Sequence, residues 1–132
     1  MILVDTGAFF ALFVVEDERH QDANKWYLAN QDRSLVTTDY VIDELLTLMR
    51  SRGVGPQTLR AGLLLINQRF CAMEKVQLTD FQEAWEIFSR FRDKGWSFTD
   101  CVSRVVMERL KITTAFAFDD HFRQFGTVAV VP

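Results

Sequence analysis

The amino-acid sequence predicts an α/β domain with a mainly parallel β-sheet, because short apolar runs alternate with segments of helical periodicity. Several of these runs lack the alternation of inward and outward residues that half-exposed strands show. This is typical of strands that helices cover on both faces. Strands are expected at five places: Ile2–Val4, Leu35–Thr37, Cys71–Leu78, Thr114–Phe118 and Val128–Val131.

The composition favours one folded domain spanning residues 1–132. Hydrophobic residues make up 48% of the chain, and twelve Phe and three Trp residues supply a bulky core, which excludes a disordered protein. The 15 basic and 18 acidic residues give a net charge of −3. A nucleic-acid partner would therefore have to be held by a local basic patch.

Three features of the chain predict a cytoplasmic location. Met1–Val4 is too short for the apolar core of a signal peptide. No apolar run approaches the length of a membrane span. Cys71 and Cys101 lie in apolar settings typical of buried, reduced thiols.

Two helix signals follow the second predicted strand. The segment Thr37-Thr38-Asp39 provides capping residues for a helix that runs to about Arg52, where Gly53 and Gly55 end it. Pro56 suits the first turn of a second helix. The apolar residues of that helix recur at helical spacing: Leu59, Leu63, Ile66 and Phe70.

Two further helices are expected in the C-terminal half of the chain. Thr79 and Gln82 have the spacing of a capping box at the start of the first. Ser97 and Asp100 have the same spacing at the start of the second, which runs to Leu110. The first of these helices carries an apolar stripe: Phe81, Ala84, Trp85, Phe88 and Phe91.

Four acidic residues occupy places where an ordinary sequence would not put a charge. Asp5 and Asp119 end apolar runs, Glu44 borders the apolar stripe of a helix, and Asp100 lies in the first turn of another. An unpaired carboxylate is costly to bury, and convergent carboxylates need protons or a cation to relieve their repulsion. With no His or Cys among them, such a set favours a hard metal ion such as Mg²⁺ or Mn²⁺.

Each of the four acids also has an ordinary structural interpretation. Asp5 could be the N-cap of a helix that follows its strand, and Asp100 could serve only in its capping box. Glu44 could be a rim residue that reaches solvent. Asp119 could belong to an acidic turn. What favours a site is that all four lie at element ends or edges within a single α/β pattern, where parallel sheets place their binding sites.

The order and spacing of these residues resemble the PIN domain family, from Ile2 to the C-terminus. Within it they are most similar to the VapC-type toxin ribonucleases of toxin–antitoxin pairs. The segments that carry the resemblance are Val4-Asp5-Thr6, Thr37-Thr38 followed by Asp43-Glu44, Phe98-Thr99-Asp100, and Phe118-Asp119-Asp120-His121-Phe122.

The resemblance implies a three-layer α/β/α fold and a metal-dependent endoribonuclease, the toxin of a type II pair with a cognate antitoxin. One or two Mg²⁺ or Mn²⁺ ions would be held by Asp5, Glu44, Asp100 and Asp119. Thr6 and Thr99 resemble the hydroxyl residues found beside such sites. We expect Asp119 to be the ligand of its acidic pair, and Asp120 to cap the turn His121–Phe125.

The remaining expectations concern partners. Arg50, Arg52, Arg92 and Lys94 are the candidate contacts to RNA phosphates. The helical segments Leu59–Phe70 and Phe81–Phe91 carry more apolar surface than a small monomer needs, which predicts a homodimer or a groove for an antitoxin helix. The alternative function is a catalytically inactive PIN-like interaction module.

Overall fold

The computed structural model describes residues 1–132 and contains one five-stranded sheet in which every strand pair is parallel. The strands are β1 (Ile2–Val4), β2 (Leu35–Thr38), β3 (Ala72–Glu74), β4 (Thr114–Phe116) and β5 (Ala129–Val131). The helices are α1 (Thr6–Phe13), α2 (His20–Ala29), α3 (Asp39–Ser51), α4 (Gly55–Ile66), α5 (Leu78–Arg90), α6 (Phe98–Leu110) and α7 (His121–Gln124).

The sheet has the order β3-β2-β1-β4-β5, so β1 is central and its neighbours are β2 and β4. Ile2 and Val4 of β1 pack into one hydrophobic core, and Leu3 between them packs into another. The first core is built mainly by α1 to α4 and the second by α5 to α7. Both faces of the sheet are therefore covered, and the expected three-layer α/β/α fold is confirmed.

Two helices were not assigned by the sequence analysis. Helix α1 is apolar on almost all sides, so it shows no amphipathic stripe that would separate it from a buried strand. Helix α2 has only Ala23 fully buried, and its first half is otherwise polar. Tertiary packing stabilises both: the ring nitrogen Nδ1 of His20 lies 2.7 Å from the carbonyl oxygen of Ala11 and links the two helices.

The predicted capping residues are correct at two helices and wrong at one. The hydroxyl of Thr38 accepts the N–H of Val41 at the start of α3, as expected. The capping box predicted for Thr79 and Gln82 is wrong, because α5 begins earlier, at Leu78. The predicted third strand is also too long. It ends at Glu74 rather than continuing to Leu78, and Leu78 already belongs to α5.

An ion-pair network holds α6 against its neighbours. Arg109 donates to both carboxylate oxygens of the buried Asp80, at 2.9 and 2.8 Å, and to Glu74 of β3 at 2.9 Å. Burial alone would raise the pKa of Asp80, but the bonds from Arg109 and from the Gln77 N–H lower it. The network ties one end of α6 to α5 and β3, while the other end carries Asp100.

Two helices expose apolar side chains that the cores do not use. Leu59, Leu63 and Ile66 project from α4, beside a groove between α3 and α4. Helix α5 exposes a second set, namely Leu78, Phe81, Trp85 and Phe88. The expected excess of apolar surface on these helices is confirmed. None of the helices combines the length and hydropathy required to cross a bilayer.

Candidate active site and metal centre

The four acids come together at the carboxyl edge of the sheet. Asp5 directly follows β1, and Asp119 lies just beyond β4, the strand that pairs with β1. Glu44 of α3 and Asp100 of α6 complete the set. All four line one cavity of about 290 Å³, together with Thr6, Gly7, Leu48, Ser97 and His121.

Asp5 has the most unfavourable environment of the four. Its N–H donates to the Phe116 carbonyl at 3.0 Å, and the Thr37 hydroxyl donates to the carbonyl of Val4, so neighbouring strands fix the backbone here. Its side chain is 3% exposed, and its Oδ1 atom is buried without a hydrogen-bond partner. Although Asp5 occupies the N-cap position of α1, its side chain makes no capping bond. The capping interpretation therefore does not explain this carboxylate.

The charge of Asp5 is disfavoured by its surroundings. Burial raises the pKa of the Asp5 carboxyl well above its ordinary value, and the negative charges of Asp100 and Asp119 raise it further. A buried anion with an unpaired oxygen needs either a proton or a cation. A divalent metal ion would satisfy the free oxygen and the charge at once.

Glu44 is held towards the cavity by Thr6. The Thr6 hydroxyl donates to Oε2 of Glu44, which joins the first residue of α1 to α3. Burial raises the pKa of Glu44, the bond from Thr6 opposes that change, and the charges of Asp100 and Asp119 reinforce it. Thr6 thus lies beside the acids, where the sequence placed it.

Asp100 combines the two interpretations that the sequence left open. Its N–H donates to the Ser97 hydroxyl at 3.0 Å, and its Oδ2 accepts the Ser97 N–H at 2.9 Å, which confirms the capping box. The same Oδ2 lies 2.7 Å from Nδ1 of His121. Burial raises the pKa of Asp100, and the bonds from Ser97 and His121 offset this only in part. Asp100 therefore caps α6 and also faces the cavity.

His121 is the cavity residue that the sequence analysis missed. The sequence analysis placed no histidine in the cluster, whereas ligand atoms of Asp100, Asp119 and His121 lie within 4.8 Å of one another. The pattern Asp119-x-His121 was the available signal. His121 begins α7 directly after the β4 loop, and only this turn of the chain brings its ring to Asp100.

The structure separates Asp119 from Asp120. Asp119 lines the cavity, and its Oδ1 accepts the N–H of His121 at 3.0 Å. Asp120 is exposed, makes no side-chain capping bond and contacts Arg123 at 3.4 Å. The expectation that Asp120 caps this turn by its side chain is wrong, because Asp119, two residues before the N–H of His121, makes that hydrogen bond.

Comparison with known proteins agrees with this geometry. The sequence matches the PIN domain family over residues 2–128. The chain belongs to the PIN domain family. It is 32% identical over 132 residues to the 23S rRNA-specific endonuclease VapC20 of Mycobacterium tuberculosis, covering 100% of this chain and 99% of the relative. A VapC ribonuclease of Archaeoglobus fulgidus is 29% identical over 133 residues, covering 91% of this chain and 78% of that protein.

A solved structure supports the same assignment. The crystal structure of Mycobacterium tuberculosis VapC20, a toxin that cleaves the sarcin–ricin loop, has a TM-score of 0.90 to this PIN domain at 31% identity. The match covers 100% of both chains. The predicted family and the resemblance to VapC-type toxins are therefore confirmed.

Several predicted residues lie outside the cavity of this PIN domain. Thr99 does not line it, whereas Ser97 does. The four basic candidates for RNA contact are exposed and also absent from its wall: Arg50, Arg52, Arg92 and Lys94. Arg50 lies instead in the groove between α3 and α4. The supporting role of Thr99 and the RNA contacts stay predictions.

Asp5→Asn is expected to stabilise the metal-free protein. The substitution removes a buried charge and its repulsion, so the thermal midpoint in excess EDTA at pH 7 should rise by about 3–5 °C, the effect of roughly 1 kcal/mol in a domain of this size. Differential scanning calorimetry measures this. Asp120→Asn, at an exposed position outside the cavity, is the matched control and should leave the midpoint unchanged.

The stability difference between Asp5→Asn and the wild type should depend on pH in a defined direction. Because the folded state raises the pKa of Asp5 above its ordinary 3.8, the folded state binds more protons than the unfolded chain between the two values. Wild-type stability therefore falls as the pH rises through that window. The increase in thermal midpoint that Asp5→Asn gives over the wild type should be absent below pH 3.8 and should grow as the pH rises above it. A lower midpoint for the variant at pH 7 contradicts the assignment of a destabilising charge.

Proposed function

We propose that this PIN domain is a divalent-metal-dependent endoribonuclease that hydrolyses RNA phosphodiester bonds with Mg²⁺ or Mn²⁺. The observation that carries the proposal is the unpaired, buried Oδ1 of Asp5, surrounded by three further carboxylates. Oxygen-rich donor sets of this kind suit hard divalent cations. The names of the relatives, an rRNA-specific endonuclease and a VapC ribonuclease, support RNA as the substrate.

A metal ion is required by the charge of the substrate. A phosphodiester is anionic, and four carboxylates would repel it from the cavity. A bound Mg²⁺ or Mn²⁺ ion would supply the positive charge and the Lewis acidity that phosphodiester hydrolysis needs. The ion would offset part of the negative charge of the carboxylates and present a positive centre to the RNA phosphate, which the metal-free cavity lacks.

The acidic residues of the cavity would have different roles in holding the metal ion. Asp5 and Asp119 would hold the ion directly, since they follow adjacent strands at the sheet edge. Glu44, oriented by the Thr6 hydroxyl, would complete the set of ligands. Asp100 would hold a second or outer position, with Ser97 and His121 fixing its carboxylate. Because Nδ1 of His121 lies 2.7 Å from Oδ2 of Asp100, we assign His121 the orientation of that carboxylate.

Cleavage is expected only with Mg²⁺ or Mn²⁺. Purified protein should cut RNA when either ion is supplied and should stop in excess EDTA, because the carboxylates alone repel the substrate. Gel analysis of labelled RNA measures this, with Asp5→Asn prepared in parallel to exclude contaminating nuclease. Equal cleavage in EDTA overturns the metal mechanism. Metal binding without any cleavage favours the alternative, an inactive interaction module.

Asp119 and Asp120 offer a matched pair of substitutions. Asp119→Asn should reduce the single-turnover rate at least about 100-fold, the loss typical when a partner of a metal site is removed. Asp120→Asn should retain most of the rate, because its side chain contacts only Arg123 outside the cavity. Calorimetry with Mn²⁺ gives the metal affinity of each variant. A larger loss at Asp120 contradicts the assignment.

We infer a toxin of a type II pair in the cytoplasm, with a cognate antitoxin and a homodimeric state. The relatives support the toxin, and the exposed apolar surfaces support two protein partners. The apolar stripe of α5 is suited to a second copy of the chain. The groove between α3 and α4, with Leu59, Leu63 and Ile66 beside it, is suited to an amphipathic helix of the antitoxin.

Induction of the wild-type chain in a bacterial host is expected to halt growth. Asp5→Asn, at matched expression, should allow normal growth, because it removes the proposed central metal ligand and leaves the rest of the fold unchanged. Growth curves with immunoblots measure this. A harmless wild-type chain that still cleaves RNA in vitro contradicts the toxin and leaves the nuclease in place.

A further inference from the structure

A second cleft lies beside the active site, on the other side of the loop that carries Asp119. It has a volume of about 570 Å³ and lies between α2 and the segment from Phe118 to α7. Phe118 precedes Asp119, and Arg123 follows His121 by two residues. The wall that separates the cleft from the carboxylate cavity is therefore a single turn of chain.

The lining of this cleft combines an apolar surface with cations. Trp26, Ala29 and Phe118 contribute apolar surface, and Lys25 and Arg123 lie exposed at its border. Asp22 is the only acid that lines the cleft, whereas four acids line the neighbouring cavity. Arg123 also lies 3.4 Å from Asp120, which leaves Lys25 as the cation of the lining that makes no ion pair. The cleft is therefore less negative than the metal-free active site.

The shared wall is fixed in position by Arg19. The guanidinium of Arg19 donates to the Phe118 carbonyl at 2.9 Å and lies 5.1 Å from the centre of the Phe118 ring. Trp26 packs on the sheet, where its ring centre lies 4.4 Å from that of Phe116 in β4. These contacts hold Phe118 and Trp26 in place as one apolar surface, with Lys25 and Arg123 at its border, which suits an anionic ligand with a flat apolar part.

We propose that this cleft binds one nucleotide of the RNA, next to the nucleotide whose phosphodiester is cut. The base lies against Trp26, Ala29 and Phe118, and the adjoining phosphates face Lys25 and Arg123. The inference rests on the proposed ribonuclease function, and it names the part of the chain that positions the substrate. It moves the main phosphate contacts from Arg50, Arg52, Arg92 and Lys94 to α2 and α7.

The sharpest test uses two neighbouring positions on α2. Ala29 lines the cleft, while Leu28 is 63% exposed and does not line it. Ala29→Glu fills the cleft and adds a negative charge, and Leu28→Glu makes the same change in charge one residue away. In the wild-type background, with Ca²⁺ in place of Mg²⁺ to occupy the carboxylates without supporting cleavage, fluorescence anisotropy with a short single-stranded RNA should show at least about tenfold weaker binding for Ala29→Glu, a loss of roughly 1.4 kcal/mol. Leu28→Glu should stay within about threefold of its parent, a difference of under 1 kcal/mol.

Lys25 tests the phosphate contact. The logarithm of RNA affinity falls as the logarithm of salt concentration rises. Lys25→Ala should make this negative slope less steep by about 0.7–1, the effect of one lost phosphate contact. Lys25→Arg should restore the slope, and Arg60→Ala, at an exposed position on α4 outside the cleft, should leave it unchanged. Equal slopes for Lys25→Ala and the wild type overturn the contact.

Substrates that lack one base locate the nucleotide. Removing the base at one position flanking the cut should weaken binding to the parent protein and have little effect on Ala29→Glu, since the filled cleft no longer holds that base. If Ala29→Glu and Leu28→Glu bind RNA equally, the cleft is not a nucleotide site. If Ala29→Glu alone loses binding while wild-type protein with metal cuts no RNA, the cleft stands and the ribonuclease function is refuted.

Discussion

Asp5 carries a carboxylate at the end of the central strand, where water does not reach one of its oxygens. Three further acids, Asp100, Asp119 and Glu44, raise the cost of that charge, and its Oδ1 atom has no hydrogen-bond partner. A fold retains such a group only if something outside the chain compensates for it. The divalent ion that the site is suited to hold explains the burial, the crowding and the missing hydrogen-bond partner together. The other elements of the structure serve to keep this cluster in place.

Each ligand group is positioned by contacts that do not involve the metal. Strand neighbours fix the backbone at Asp5, and the Thr6 hydroxyl draws Glu44 inward. Asp100 is held by Ser97 and His121 at its own end of α6, while Arg109 anchors the far end of that helix to Asp80. The site is thus assembled on rigid elements, which limits the reorganisation required when a cation and a substrate bind.

The distribution of charge is compatible with the proposed RNA binding by a chain with a net charge of −3. Four of the 18 acidic residues line one cavity, where a metal ion would offset part of their charge, and Lys25 and Arg123 lie at the border of the adjoining cleft. The apolar stripe of α5 and the groove beside α4 lie on helices that do not line the cleft. Substrate and protein partners are therefore assigned to different surfaces of the same small domain.

The sequence alone determined the architecture, the family and four acids of the site. Continuous apolar runs such as Ile2–Val4 predict strands buried on both faces, and acids at element ends are unusual enough to be noticed. It failed where local pattern carries no information, as in α1, which is apolar on nearly every side. The capping box of α5 lies two residues before the predicted one, at Gln77 and Asp80, and Asp80 is also bound by Arg109, which is distant in sequence.

Only the tertiary structure decided which groups meet. His121 joins Asp100 across 21 residues of chain, and Asp119 rather than Asp120 makes the hydrogen bond to the turn. The spacing of these residues does not reveal such contacts, because they depend on how α6 and α7 pack on the sheet. The cleft beside Phe118 was likewise invisible, since Lys25 and Arg123 are nearly a hundred residues apart and become neighbours only through the pairing of β1 with β4. Types and order of residues are local properties of a chain, whereas proximity is a property of its fold.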